Sequence, residues 1–458
     1  MEIEESDSVD IKTEQQPSLN PTGPPLASSC CIYRVPLIFR KMNEEAYTPF
    51  LVSIGPFHHR SQTLGPMQQD LKLSYLIKFV KRAHQQNSLH DYGDVVRCEE
   101  DKIRRCYSEP IPMESDDFVN MILTDACFII ELFVAGFLAD SSESNEDAYL
   151  LKRWPRADIM RDLILLENQI PFFVLEDLFN LAFPSGLNDG RISFQELTYK
   201  NFLSYRSCVY PPTNEYGKRF LLYSYFEEHH LTPPNADGGK QVKHLCDMLR
   251  AFYVPTNPPA RSSIDPNMTT KCSCTANELN EAGLKFEVHQ DKGIFELECS
   301  EGVFKMPVIV INAMTEIMLR NVVAFEQCHH YFTNYHVTDY MFLLFNLIKT
   351  GKDVEILVEK EIMENILGDN DDVATMIIKL ARNTWLAGGS NANYSSLYEN
   401  LDHFYENPCH KHKENFVRDY WSTPWKRLSL FGGIVILFFT LIQTICSVIS
   451  LFKGGAQN

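Results

Sequence analysis

The C-terminal segment constrains this chain more than any other. From Leu428 to Phe452 it runs LSLFGGIVILFFTLIQTICSVISLF, 25 residues without a charge. A helix rising about 1.5 Å per residue reaches roughly 37 Å over that stretch, enough to cross a hydrocarbon core of about 30 Å with some tilt. A buried core helix of this length would carry charges or breakers, so the segment reads as a transmembrane helix. Its polar residues, Ser429, Thr440, Gln443, Thr444, Ser447 and Ser450, are uncharged and can bond their own backbone or a partner helix. Trp421 and Trp425 precede it, where an interfacial aromatic belt belongs. Lys411, Lys413, Arg418, Lys426 and Arg427 lie before the span and Lys453 after it, so the positive-inside rule puts the body in the cytosol. Only residues 453–458 would cross, the pattern of a tail-anchored protein. Two glycosylation tripeptides, at Asn267 and Asn393, would favour a lumenal body, but such tripeptides arise readily by chance.

The whole chain has ordinary globular composition, 45% hydrophobic and 22% charged, which excludes wholesale disorder and a multi-span membrane protein. At 458 residues the length prior is two or three domains. The net charge of −18, with no Lys/Arg run, argues against a nucleic-acid partner. Residues 1–30 hold Glu2, Glu4, Glu5, Asp7, Asp10 and Glu14 against Lys12, then four prolines, with little to bury; they read as a disordered acidic tail without secretory character. The 13 cysteines are odd in number and irregularly spaced, which reads as reduced thiol rather than a disulfide framework.

Helical periodicity dominates the body. Leu73, Leu76, Ile77 and Val80 predict an amphipathic helix over 71–83, and 116–138 repeats the pattern apolar enough to be buried, with Asp125 read as a core or helix-surface carboxylate. A helix from Asp158 should end near Gln169, because Pro171 starts the next one. Residues 184–240 are turn-rich with two shorter helices, and 241–253 is helical. The Pro-rich stretch 254–274 is the expected linker between an N-terminal helical part, 31–253, and a C-terminal part, 275–420. Thr275-Ala-Asn-Glu278 predicts a capping box and Gly283 a helix stop. Alternation at Leu284, Phe286 and Val288, then at Phe295, Leu297 and Cys299, predicts a β-hairpin with 308–311 as its third strand. Helices return over about 314–330, 337–349, 353–367, 371–385 and 394–406. The fold class is mainly α, a large helical body with a small antiparallel β element plus one transmembrane helix.

Catalytic and metal patterns are sparse. The doublets His58-His59, His229-His230 and His329-His330 point their rings apart, and Cys409-His410-Lys-His412 has no second ligand cluster. Gly238-Gly239-Lys240 is not a phosphate loop, and Asp369-Asn-Asp-Asp372 lacks the glycine and glutamate of a calcium loop and reads as a helix cap. No metal or cofactor is expected. The best polar candidates are Arg320, Asn321, Glu326 and Gln327 on one helix and Glu167, Asn168 and Gln169 at a helix end. They could line a pocket; the favoured reading is an internal network that fixes helix packing.

Five strings in order resemble one plant family, catalogued as domain of unknown function 247 (the UPF0481 type). They are Tyr33-Arg-Val-Pro36, Val52-Ser-Ile-Gly-Pro-Phe-His-His59, Leu165-Leu-Glu-Asn-Gln-Ile-Pro-Phe-Phe173, Thr275-Ala-Asn-Glu-Leu279 with Ala282-Gly283, and Arg320-Asn-Val-Val-Ala-Phe-Glu-Gln327. With the C-terminal span they cover roughly 31–452; Asn312 departs from the acidic residue expected in most relatives. The resemblance implies a plant protein ending in one transmembrane helix, with no established enzymatic activity and, in some grass members, a part in self-incompatibility. The leading expectation is a non-enzymatic membrane-tethered recognition or scaffold module with an unknown protein partner. The alternatives are a cell-surface recognition determinant with an extracellular body and an uncharacterised hydrolase or transferase.

Overall fold

The computed structural model describes residues 29–59, 61, 64–65, 67–83, 87–139, 156–187, 192–209, 242–251, 274–289, 295–329, 335–382, 394–407 and 424–454. The acidic tail to residue 28, most of the linker, both glycosylation asparagines (Asn267 and Asn393), His229-His230, Cys409–His412 and Trp421 lie outside them. The helices are α1 (Leu37–Arg40), α2 (Met67–Arg82), α3 (Leu89–Cys98), α4 (Glu100–Arg105), α5 (Ser115–Ala139), α6 (Arg156–Leu163), α7 (Phe172–Ala182), α8 (Phe194–Val209) and α9 (Leu245–Ala251). They continue as α10 (Ala276–Glu281), α11 (Ala313–Cys328), α12 (His336–Leu347), α13 (Gly351–Glu359), α14 (Asn370–Ala381), α15 (Ser395–Glu406) and α16 (Pro424–Gly454). Five short strands complete the set: β1 (Lys285–Val288), β2 (Glu298–Ser300), β3 (Val303–Met306), β4 (Ile309–Ile311) and β5 (Met363–Asn365). The protein is thus mainly helical.

Helix α5 is apolar on every face because it is surrounded by α2, α3, α7 and α8. Two carboxylates interrupt its buried surface, and each has a cation from α2. Lys72 pairs with Asp125, and Arg82 grips Glu131 through Nε and Nη2 at 3.0–3.1 Å. Buried apolar side chains from Cys30 to Leu401 join in one continuous core.

Three elements differ from the sequence expectation. Helix α6 stops at Leu163 rather than near Gln169, because the side chains of Asn168 and Gln169 take the carbonyls of Asp162, Leu163 and Leu165 that a continuing helix would have bonded. The antiparallel pair is β2–β3, turned by Glu301 and Gly302 at φ 51° and 77°, while β1 joins β3 in parallel. Positive φ at both turn positions is what a two-residue hairpin of matching twist demands. Strand β4 is not the hairpin's third strand: it pairs in parallel with β5, inside the stretch expected to be helical. There Glu361 enters the left-handed region at φ 58°, Ile362 N–H turns back to Leu357 O, and α13 ends.

The capping box at Thr275 and Glu278, and Gly283 at φ 93°, form as expected, and Asp369 caps α14. Among the described residues two helices are long and apolar enough to cross a membrane. The window 115–138 on α5 is 72% buried within the body, whereas 428–447 on α16 is 0% buried.

Candidate functional site

The segment 29–59 wraps the body as a strap, and the corner 162–171 between α6 and α7 holds it. Proline at 171 fixes the start of α7 and frees the preceding residues to leave the helix. Four polar side chains of the corner then act as substitute backbone partners. Asp162 accepts three strap N–H groups: Leu51 at 2.6 Å, Val52 at 2.9 Å and Phe50 at 2.9 Å. Asn168 accepts Ile54 N–H at 2.6 Å and donates to the carbonyls of Val52 and Asp162, each at 2.9 Å. Gln169 donates to the carbonyls of Leu163 and Leu165 at 2.7 Å and accepts Cys246 N–H at 3.3 Å.

Glu167 is the electrostatic centre. Its Oε1 accepts Val35 N–H at 2.7 Å and lies 2.6 Å from Arg40 Nη2; its Oε2 lies 3.0 Å from Arg34 Nη1 and 3.3 Å from His58 Nε2. Burial works to raise this carboxyl, but the contacts with His58, Arg40 and Val35 outweigh it and hold it down at about 2. Asp162, with only one neighbouring cation, goes the other way: burial pushes it up despite its three N–H donors.

Gly55 closes the arrangement. It sits at φ +70°, donates its N–H to Asp125 at 2.8 Å, and a Cβ there would fall 2.4 Å from Gln169 O. Only glycine permits both the left-handed backbone and that approach.

Helix α11 docks on the opposite side. Asn321 accepts Leu166 N–H at 2.9 Å and donates to Ala46 O at 2.7 Å, so it ties strap, corner and α11 together. Arg320, buried on the same helix, pairs with Glu316 one turn back at 2.7 Å rather than with Glu326 two turns on. Glu326 lies 3.3 Å from Arg250 of α9 and accepts the N–H and hydroxyl of Thr338 at 2.9 and 2.7 Å, serving the first turn of α12. Burial pushes the Glu326 carboxyl up against these contacts. Gln327 is half-buried next to it. The corner triplet and Asn321 therefore meet; Arg320 and Glu326 are held apart by separate partners, which gives no geometric support to a shared catalytic pair. Among the described residues no group of three or more His, Cys, Asp or Glu side chains is placed to hold a metal ion.

The strap residues Arg34, Arg40, His58 and Gly55, with Asp162, were not singled out as site residues from the sequence. The available signal was that strings 33–36 and 52–59 carry side chains poorly suited to an isolated loop. Of the interfacial residues, Trp425 (79% exposed) and Lys426 stand on the outer surface of α16, and Arg427 and Lys453 fall within that helix.

Architecture rather than a reactive cluster defines this molecule: a helical body locked by an N-terminal strap, bearing one apolar helix that the body does not bury. The chain belongs to the family described as plant protein of unknown function, DUF247, matched over residues 32–439. It is 26% identical to the UPF0481 protein At3g47200 of Arabidopsis thaliana, covering 94% of this chain and 88% of that one. It is 24% identical to the putative UPF0481 protein At3g02645 of the same plant, covering 92% and 90%. No solved structure matches the chain significantly.

Proposed function

We propose that this is a single-pass membrane protein of plant cells, with α16 in the bilayer and the helical body on the cytosolic side as a non-enzymatic recognition or scaffold module. The observation that carries the reading is the unburied apolar surface of α16. Phe431, Ile436, Leu437, Phe438 and Phe439 are each at least 60% exposed, a stripe that water does not tolerate on a helix with no protein cover. Three of its hydroxyls suit hydrocarbon as well: Thr440, Thr444 and Ser447 each donate at 2.8 Å to the carbonyl four residues back. The candidate polar residues Glu167, Asn168, Gln169, Arg320, Asn321 and Glu326 are engaged with backbone groups or with opposite charges inside the body, which supports a role in binding other macromolecules through the surface.

The test is carbonate extraction of plant membranes carrying the full chain or a version stopped after Thr423. The full chain should stay in the pellet and the truncated one should leave it. A truncated protein that remains membrane-bound would overturn the anchor. Protease added to sealed vesicles should digest the body; a protected body, or an endoglycosidase-sensitive one, would place it on the other side.

A further inference from the structure

The strap begins beside α4, and there two thiols face each other. Ile32 and Tyr107 form an isolated parallel bridge, with Ile32 N–H donating to Cys106 O and Ser108 N–H to Ile32 O, both at 2.9 Å. Cys106 closes α4 in helical conformation, and Cys31 N–H also reaches its carbonyl at 2.9 Å, so the two cysteines are backbone neighbours across 75 residues of chain. Backbones joined directly by a hydrogen bond bring their Cα atoms near the roughly 4.4–6.8 Å separation that a disulfide spans. The Cys31 thiol hydrogen-bonds to the Cys106 sulfur, whose own proton goes to Lys102 O at 3.3 Å.

We infer that Cys31 and Cys106 are a redox modification site, a dithiol that hydrogen peroxide converts to a disulfide locking the start of the strap onto α4. The roles divide by environment. The hydrogen bond from Cys31, with help from Lys102 and Lys243, lowers the Cys106 thiol against its burial, whereas giving that hydrogen bond and being buried both raise Cys31. Cys106 is therefore the attacking thiolate and Cys31 the resolving thiol. The Cys106 sulfur attacks the peroxide O–O bond, becomes a sulfenic acid and releases hydroxide, which takes up a proton as water. The Cys31 sulfur then attacks the sulfenic sulfur, the S–O bond breaks, and the proton of Cys31 leaves with the hydroxide as a second water. Two thiols are oxidised and one peroxide is reduced, with no other reactant. Both cysteines are only 4% exposed, which admits a small neutral oxidant more readily than a bulky disulfide reagent. Cys98, exposed, offers the contrast of an accessible thiol.

The test uses the full chain in detergent micelles, freed of reductant, treated with hydrogen peroxide, blocked with N-ethylmaleimide and mapped by tandem mass spectrometry. A Cys31–Cys106 cross-link is expected, reversed by reductant, absent from C31S and C106S and retained in C30S and C98S. The inference is overturned if Cys31 and Cys106 are both recovered alkylated under conditions that oxidise Cys98, or if either is joined to Cys30 or Cys328 instead.

Discussion

Replacing Asp162 by alanine removes the acceptor of three strap N–H groups at once, and the structure sets the size of the loss. Val52 is fully buried, so its N–H finds no water and is left unpaired, at about 2 kcal/mol. Leu51 is half-buried and contributes about 1 kcal/mol. Phe50 is 67% exposed, and water replaces the carboxylate there at little cost. Burial raises the Asp162 carboxyl, so removing it also relieves desolvation, which keeps the sum at the low end. Asp162→Ala should therefore lose about 3 kcal/mol of unfolding free energy. The assay is urea unfolding of the full chain in micelles followed by circular dichroism. Asp116→Ala serves as the control, since that carboxylate is 81% exposed in a surface pair with Arg97 and should move stability by about 0.5 kcal/mol or less. A loss below about 1 kcal/mol for Asp162→Ala, or one equal to the control, would refute the claim that the corner carboxylate holds the strap.

Gly55→Ala should destabilise by about 3 kcal/mol, since it adds left-handed strain at φ +70° to a Cβ placed 2.4 Å from Gln169 O. Gly368→Ala, at φ +95° with nothing within 4 Å, should carry only the strain, about 1 kcal/mol; equal losses in denaturant midpoint would remove the packing argument. Acid should act through Glu167. Its folded value of about 2 lies below its ordinary 4.5, so its contribution is fully present above pH 4.5 and is lost as pH falls toward 2. That shift corresponds to about 3 kcal/mol, and Glu167→Gln should flatten the fall in stability between pH 5 and pH 3; an unchanged slope would assign the acid sensitivity elsewhere.

How much of this could be read in the sequence follows the range of the interactions. Helix α5, the box at Thr275–Glu278 and the stop at Gly283 are written in residues a turn apart, and each formed where the pattern put it. Of the candidate polar residues, the sequence could not show the partners, because Asn168 meets Ile54 and Asn321 meets Ala46 across 114 and 275 residues of sequence. Angular position on α11 brought Arg320 toward Glu326, yet Glu316 is one turn away rather than two and takes the guanidinium. Strand β5 has three residues and a neighbour more than fifty positions earlier, so no local alternation could reveal it. The helix end at Leu163 was obscured because amide side chains imitate the bonds a helix would have made.

The strap geometry also limits where recognition can occur on the proposed topology. A chain of net charge −18 beside an anionic cytosolic leaflet is repelled at distances up to the Debye length, about 8 Å, while Lys426 and Arg427 at the foot of α16 are each drawn to the same surface by about 1 kcal/mol. On that topology attraction would be confined to the tether, and the acidic body would stand off from the lipid. The polar side chains of the corner and of Asn321 hold strap, corner and α11 together, so a partner of the proposed kind would meet the outer surface. There Leu37 at 72%, Phe50 at 67% and Ile77 at 56% exposure are the apolar groups that gain by leaving water. Two of the three lie on the strap, so whatever loosens Glu167 or Asp162 also moves the residues a partner would touch.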